Sequence, residues 1–209
     1  NQRDQGKGSS FMNYGAVKKT DVANGPGIRV SLFVSGCTHG CRGCFNKEAW
    51  DFAYGEEYTS RTQEEILQAL APGYIRGLSV LGGEPFEPQN AQTVLELLEK
   101  VRERYPGKDI WCYTGYEYER DLLQWAAREG HEEAVPERGR SDAQRSVVTK
   151  LLALIDVLVD GEFVEEKKNL RLAFRGSENQ RLIDVKASRR EGRTICLREE
   201  DKNAGQTTR

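Results

Sequence analysis

The sequence lacks a long apolar segment. No run among its 209 residues approaches the roughly 20 apolar residues that a membrane-spanning helix needs. It also lacks an excess of one charge, because the formal net charge is -2 at pH 7, and this argues against a broad surface for nucleic acid or an anionic membrane. The opening residues show no secretory signal pattern. We therefore expect a cytoplasmic protein that binds neither nucleic acid nor membranes.

Histidine is scarce as well. The two histidines are His39, between two cysteines, and His131, in a charged stretch. We interpret both as solvated imidazoles. Cysteine is present in an odd number, five, and three of the five are clustered, which is unlike an evenly studded disulfide scaffold. We expect Cys112 and Cys196, which flank apolar residues, to be buried structural thiols.

The clustered cysteines are the most informative feature. Cys37, Cys41 and Cys44 have the spacing C-x3-C-x2-C in a glycine-rich loop. Thiolates are soft ligands that suit zinc or iron–sulfur clusters, and closed sites of either kind use four ligands. Three close thiolates without an obvious fourth favour a cluster with one iron open to a reacting ligand. A zinc site would need His39 as its fourth ligand, at the cost of strain in a tight loop.

The rest of the chain alternates strands with helices, and this predicts an α/β fold with a largely parallel sheet and outer helices. The predicted strands are Ile28–Val34, Gly77–Leu81, Asp109–Tyr113, Leu154–Val159 and three shorter ones at Leu170–Phe174, Leu182–Val185 and Thr194–Leu197. Three helices are predicted. The first follows a capping box at Thr62–Glu65, the second covers Gln89–Arg104, and the third contains Leu122–Ala126.

Domain organisation follows from composition. We expect a flexible N-terminal segment over 1–12, a single domain over 13–198 with a charged, exposed insertion at about 129–145, and a polar tail over 199–209. Loops that follow parallel strands gather at the carboxyl edge of a sheet, where ligands bind. The cysteine loop and the turn Gly82-Gly83-Glu84-Pro85 both follow predicted strands.

That turn suits a ligand. Two glycines let a ligand approach the backbone, Glu84 offers a carboxylate for a cationic amino group, and Pro85 restricts how Glu84 is held. Asp160, at another strand end, is a weaker candidate that could equally cap a turn.

Together these motifs resemble the radical S-adenosylmethionine superfamily. The cysteine loop followed by Phe45, and the Gly82-Gly83-Glu84-Pro85 turn, carry the resemblance. Further phrases are similar to the glycyl-radical-enzyme activases that serve anaerobic ribonucleoside-triphosphate reductase: Asn24–Arg29, Pro106–Trp111, Thr114–Tyr116, Asp156–Phe163 and Arg175–Gln180. The resemblance covers roughly residues 13–181, with a departure at the charged insertion.

The resemblance implies a partial, open (βα) barrel and a 4Fe-4S cluster on Cys37, Cys41 and Cys44. Its open iron would bind S-adenosyl-L-methionine, which would also contact Gly43, Cys44, Phe45, Gly82, Gly83 and Glu84. Reductive cleavage would give methionine and a 5'-deoxyadenosyl radical, which abstracts hydrogen from a glycine of the partner reductase. This chemistry belongs to the cofactors, so no catalytic side chain is expected. A flavodoxin or ferredoxin-type protein is the implied electron donor.

Two alternatives stay open. One is an activase for another glycyl radical enzyme, such as pyruvate formate-lyase, which shares the three cysteines and the Gly-Gly-Glu-Pro turn. The other is a non-enzymatic adaptor with a structural zinc.

Overall fold

The computed structural model describes residues 12–127 and 141–197, and within these ranges seven strands form one sheet. The strands are β1 (Asn13–Asp21), β2 (Ile28–Val34), β3 (Glu56–Glu57), β4 (Ile75–Gly82), β5 (Asp109–Tyr113), β6 (Val157–Asp160) and β7 (Arg181–Asp184). Their spatial order is β3-β1-β2-β4-β5-β6-β7. The central strands β2, β4, β5 and β6 are parallel, while β1, β3 and β7 pair antiparallel at the edges.

The sheet is open, because the edge strands β3 and β7 are not paired with each other in the described residues. An α/β fold with a mostly parallel sheet is therefore confirmed. Parallel neighbours place their carboxyl ends at one edge. The cysteine loop after β2, the glycine turn after β4 and the loops after β5 and β6 consequently share that edge, as predicted.

The described ranges contain five α-helices: α1 (Ser60–Leu70), α2 (Pro88–Arg104), α3 (Leu123–Ala127), α4 (Asp142–Leu154) and α5 (Val185–Glu191). Pro88 occupies the first turn of α2, where its missing N–H costs no hydrogen bond. No helix in 12–127 or 141–197 is long and apolar enough to cross a bilayer.

Alternation along the strands separates two faces. In β2, Val30, Leu32 and Val34 point into the hydrophobic core shared with the helices. Phe33 points to the opposite face and lines a cavity. The main core thus packs on one side of the sheet. On the other side a smaller buried cluster of Trp111, Val157, Val159 and Leu182 packs against Tyr113 and Phe174, which also line the cavity.

Several element boundaries differ from the predictions. The capping box lies one turn earlier, with Thr59 as N-cap and Thr62 as its partner, so α1 starts at Ser60. The predicted helix around Leu122 begins as a short π-helix, Tyr118–Leu122. Strand β1 was not predicted, because its residues are only half buried and lack a clear alternating pattern.

Two predicted strands are wrong. Residues 170–174 form turns, because Leu172 and Phe174 line the cavity and do not continue the sheet. Residues 194–197 contribute one isolated bridge, from Cys196 to Ile183.

The predicted charged insertion at 129–145 overlaps helix α4. Ser141 caps this helix in a capping box with Gln144, so residues 142–145 are its first turn and not a loop. Residues 128–140, which include His131, lie outside the described residues.

Candidate functional site

A cavity of about 440 Å³ opens at the carboxyl edge of the sheet. Loops that follow β2, β4, β5 and β6 contribute to its wall, so four separate strand ends converge on it. Seven of the eight residues predicted for the site line this cavity: Cys37, Cys41, Cys44, Phe45, Gly82, Gly83 and Glu84. The eighth, Gly43, belongs to the cysteine loop but is not among the lining residues.

The cysteine loop is held by backbone bonds. Gly36 N donates to Ala49 O at 2.8 Å, and Cys37 N donates to Trp50 O at 3.2 Å. The sulfurs also accept backbone donors: Cys44 Sγ accepts from Asn46 N at 3.4 Å. The backbone of His39 beside Cys37 and that of Phe163 beside Cys41 oppose the rise in pKa of these two thiols. Donors of this kind are among the means by which proteins tune the potential of a cluster.

Burial disfavours the charged thiolate forms of Cys37 and Cys41. All five cysteines are free. Burial raises the pKa of the Cys37 thiol to about 12 and also raises that of Cys41. A bound metal would favour the thiolate forms of Cys37 and Cys41, since a coordinated thiol is deprotonated by its metal.

The two remaining cysteines behave differently from each other. Cys112 is buried in the main core, as predicted. Cys196 is exposed, so its predicted burial is wrong. The chain around Cys196 runs along the sheet edge, where Cys196 bridges to Ile183 and Leu197 N donates to Leu182 O at 2.7 Å.

His39 is not a solvated imidazole. Its side chain is 7% exposed, and its two ring nitrogens contact carboxylates, Nε2 to Glu84 at 3.1 Å and Nδ1 to Glu162 at 3.0 Å. Burial by itself lowers the pKa of His39, but the two carboxylates outweigh it and raise the pKa to about 9. The ring is therefore an imidazolium at neutral pH that donates from both nitrogens and cannot ligate a metal.

Zinc fits the site poorly for the same reason. His39, the fourth ligand that a zinc site would need, is occupied by Glu84 and Glu162. Across 12–127 and 141–197, no group of three or more His, Cys, Asp or Glu side chains is arranged to hold a single metal ion. A 4Fe-4S cluster suits the three cysteines better, because each thiolate binds a different iron and the sulfurs need not converge on one point.

Glu84 is completely buried and its carboxylate is saturated. Oε1 accepts from Phe86 N and Thr114 Oγ1, each at 2.9 Å. Oε2 accepts from Gly115 N at 2.8 Å and His39 Nε2 at 3.1 Å. A carboxylate offers about four lone-pair positions, so a ligand amino group can reach Glu84 only by displacing one of these donors.

The two glycines before Glu84 are required by close packing. Gly82 has φ = +111°, a conformation that favours glycine. A Cβ on Gly83 would lie 2.5 Å from the carbonyl oxygen of Gly36 and 2.9 Å from that of Ala49. The turn is thus packed directly against the start of the cysteine loop.

Glu87 is a residue that the sequence did not single out. It is buried, and its Oε1 accepts from both Thr38 N, at 3.0 Å, and Thr38 Oγ1, at 2.5 Å. The N-cap residue of α2 therefore holds the cysteine loop between Cys37 and His39. A polar residue in the helical turn directly after the glycine turn was the signal available in the sequence.

The outer rim of the cavity is aromatic. Phe45 is 60% exposed, packs edge-on to Phe163 with ring centroids 5.1 Å apart, and lies beneath the Lys168 ammonium at 5.0 Å. Asp160, the weaker candidate, is directed elsewhere. Its carboxylate accepts from Tyr118 N at 2.9 Å and pairs with Arg181, so it caps a turn.

Comparison with known proteins gives one consistent result. The family model described as "4Fe-4S single cluster domain" matches residues 23–183. The chain is 39% identical over 171 residues to the anaerobic ribonucleoside-triphosphate reductase-activating protein of Escherichia coli K12, covering 81% of this chain and 96% of that protein. Proteins of the same name from Vibrio cholerae and Enterobacteria phage T4 are 40% and 37% identical, over 81% and 82% of this chain and 96% and 93% of their own lengths.

Proposed function

The chain belongs to the family of anaerobic ribonucleoside-triphosphate reductase-activating proteins, and from this we propose that it generates the glycyl radical of such a reductase. The observation that carries the proposal is the placement of Cys37, Cys41 and Cys44 on one cavity wall beside the Gly82-Gly83 turn. Within the described part of the chain, no other cysteine lines the cavity. Three ligands would leave one iron of a 4Fe-4S cluster open.

Cys37, Cys41 and Cys44 would hold the cluster. With S-adenosyl-L-methionine bound there, a reduced cluster would supply the one electron needed to cleave the sulfonium to methionine and a 5'-deoxyadenosyl radical, and that radical would become 5'-deoxyadenosine by taking a hydrogen atom from the glycine of the reductase. The protein itself would bind and orient S-adenosyl-L-methionine and would keep competing reactants away from the radical. That division of labour is consistent with the absence of a predicted catalytic acid or base.

The proposed contacts of S-adenosyl-L-methionine are Gly43, Cys44, Phe45, Gly82, Gly83 and Glu84. The glycine turn can accept a ligand closely, because it has no side chain above the backbone. Glu84 would receive the ligand's amino group by exchanging the bond from His39, one cation for another. Phe45, exposed at the rim, can cover the ligand with an aromatic face.

The fold supports access for a macromolecular substrate. We propose that the open sheet is a partial (βα) barrel of the radical S-adenosylmethionine type, formed by a single domain over 13–198. Its unclosed edge leaves the cavity mouth wide, which suits entry of a glycine-bearing loop from the reductase. A flavodoxin or ferredoxin-type protein would supply the electron in the cytoplasm.

The test is anaerobic. The full chain is reconstituted with iron and sulfide, reduced, and assayed for 5'-deoxyadenosine; it is then mixed with an anaerobic ribonucleoside-triphosphate reductase, and the glycyl radical doublet is recorded by electron paramagnetic resonance. We expect both products. A chain with a full cluster that never cleaves S-adenosyl-L-methionine would refute the proposal.

The choice of partner is tested separately. Pyruvate formate-lyase is offered to the same reduced protein in a parallel sample. A doublet on pyruvate formate-lyase without one on the reductase would favour the alternative activase.

A further inference from the structure

Asn90 lies in the first turns of α2, behind the cavity wall, and is completely buried. Its Nδ2 donates to the carbonyl oxygens of Ser35 at 2.9 Å, Glu84 at 2.9 Å and Gly36 at 3.4 Å. The three acceptors fix the orientation of the amide, since an oxygen in that place would face other oxygens. One side chain thus joins the segment immediately before Cys37 to the turn that carries Glu84.

The other end of the same amide argues for a specific role. Asn90 Oδ1 is buried and has no hydrogen-bond partner in the described residues. Such an unpaired oxygen lowers stability, and the three bonds from Nδ2 must offset that cost. In this orientation the Asn90 amide group donates hydrogen bonds to both loops.

Those loops already touch through their backbones. Gly83 N donates to Val34 O at 2.7 Å and Glu84 N donates to Gly36 O at 2.8 Å. Asn90 adds a side-chain clasp from the helix behind them, which fixes both loops to one rigid element. Preorganisation of a site depends on supporting bonds of this kind.

We propose that Asn90 is a positioning residue that sets the separation between the cysteine loop and the Gly82–Glu84 turn, and with it the fit of S-adenosyl-L-methionine against the cluster. The inference deepens the proposed function and rests on it. It assigns Asn90 no direct contact with the ligand.

The variants are Asn90→Ala, which removes the clasp, and Asn90→Asp, which keeps the shape but presents oxygen to three carbonyls. The matched control is Leu97→Ala, a truncation in the core on the same helix that is not part of the cavity lining. Leu97→Ala reports loss of stability alone. If Asn90→Ala fails to fold, Asn90→Asp and Asn90→Ser, which retains one donor, carry the test.

The first measurement uses the metal-free full chain. Hydrogen exchange is followed in peptides that cover 33–46 and 82–90. We expect the Asn90 variants to raise exchange at the Gly83 and Glu84 amides at least about tenfold, because the local opening that exposes them loses its clasp. Leu97→Ala should leave these amides within about threefold of wild type under native conditions.

The second measurement uses reconstituted, reduced protein. We expect KM for S-adenosyl-L-methionine to rise about tenfold in the Asn90 variants and to stay within about twofold in Leu97→Ala. The KM of Asn90→Ser should lie between the wild-type value and that of Asn90→Ala. Exchange and KM that match wild type, or that merely follow stability as in Leu97→Ala, would overturn the inference. Failure of the proposed function looks different, since wild type itself would then cleave no S-adenosyl-L-methionine.

Discussion

His39 Nε2 donates to Glu84 Oε2 at 3.1 Å and so connects the cysteine loop to the glycine turn through a buried ion pair. The side chains are 7% and 1% exposed, respectively. The contact joins the two motifs that the sequence places 45 residues apart. It neutralises Glu84 in a place where an isolated carboxylate would be costly.

The first prediction concerns this pair. His39→Ala should destabilise the metal-free chain by about 1–3 kcal/mol, because Glu84 loses a charged donor while retaining three others. The loss should be smaller in a Glu84→Gln background, where removal of His39 leaves no buried carboxylate without its cation. A double-mutant cycle from urea unfolding measures the difference. Equal losses in both backgrounds would show that the pair is not coupled.

The second prediction concerns cluster loading. Cys41→Ala should sharply lower the iron and sulfide retained after anaerobic reconstitution, because only two of the proposed thiolate ligands remain. Cys196→Ala is the matched control, since Cys196 is exposed and away from the cavity. Metal analysis and the visible absorption of the cluster give the readout. Full loading in Cys41→Ala would remove that residue from the ligand set.

A third prediction tests the close packing of the glycine turn. Gly83→Ala should destabilise the chain by about 1–3 kcal/mol, because its Cβ would meet the Gly36 carbonyl oxygen at 2.5 Å. Gly73→Ala has open space around its Cβ, and we expect it to be neutral or slightly stabilising. Chemical denaturation of both variants compares them. Similar stability in the two variants would mean that the turn can move away from Gly36.

The fourth prediction concerns acid stability. The Arg181 guanidinium holds the pKa of Glu119 down to about 2, against an ordinary value of 4.5, with a further bond from Thr194. A carboxyl whose pKa is lowered on folding stabilises the folded state above pH 4.5, and this contribution is lost as the pH falls toward 2. Because Glu119 is 44% exposed, solvent screening reduces the effect.

Glu119→Gln should therefore flatten the fall in stability over this pH range. Urea midpoints measured from pH 6 to pH 2.5 report it, and Glu99→Gln, at an exposed position on α2, is the control. An unchanged pH dependence in Glu119→Gln would show that Arg181 does not stabilise this carboxylate.

The strands and turns that surround the cavity could be predicted from the sequence. Ile28–Val34 was predicted with the bounds that the structure has, because its apolar and β-branched residues, interrupted only by Arg29 and Ser31, are typical of a strand. The strand–turn positions of the cysteine loop and the Gly-Gly turn followed in the same way. Their meeting at one cavity follows from parallel pairing alone.

Other features depend on neighbours that are remote in sequence. Leu170–Phe174 has a strand-like composition, but its apolar side chains are used to line the cavity. Cys196 lies in an apolar segment, yet its side chain is exposed at the sheet edge. Local composition describes what a side chain prefers and not which surface is available to it.

The sequence by itself therefore determined the family and predicted the three-cysteine ligand set, since three spaced cysteines and a glycine turn are local patterns with specific chemistry. The tertiary structure decided how the site is supported. His39 changes from a solvated ring to a buried imidazolium, Glu84 becomes saturated with donors, and Asn90 joins two loops. Each of these depends on distances between segments that only packing of the sheet against α2 brings together, and sequence spacing does not encode those distances.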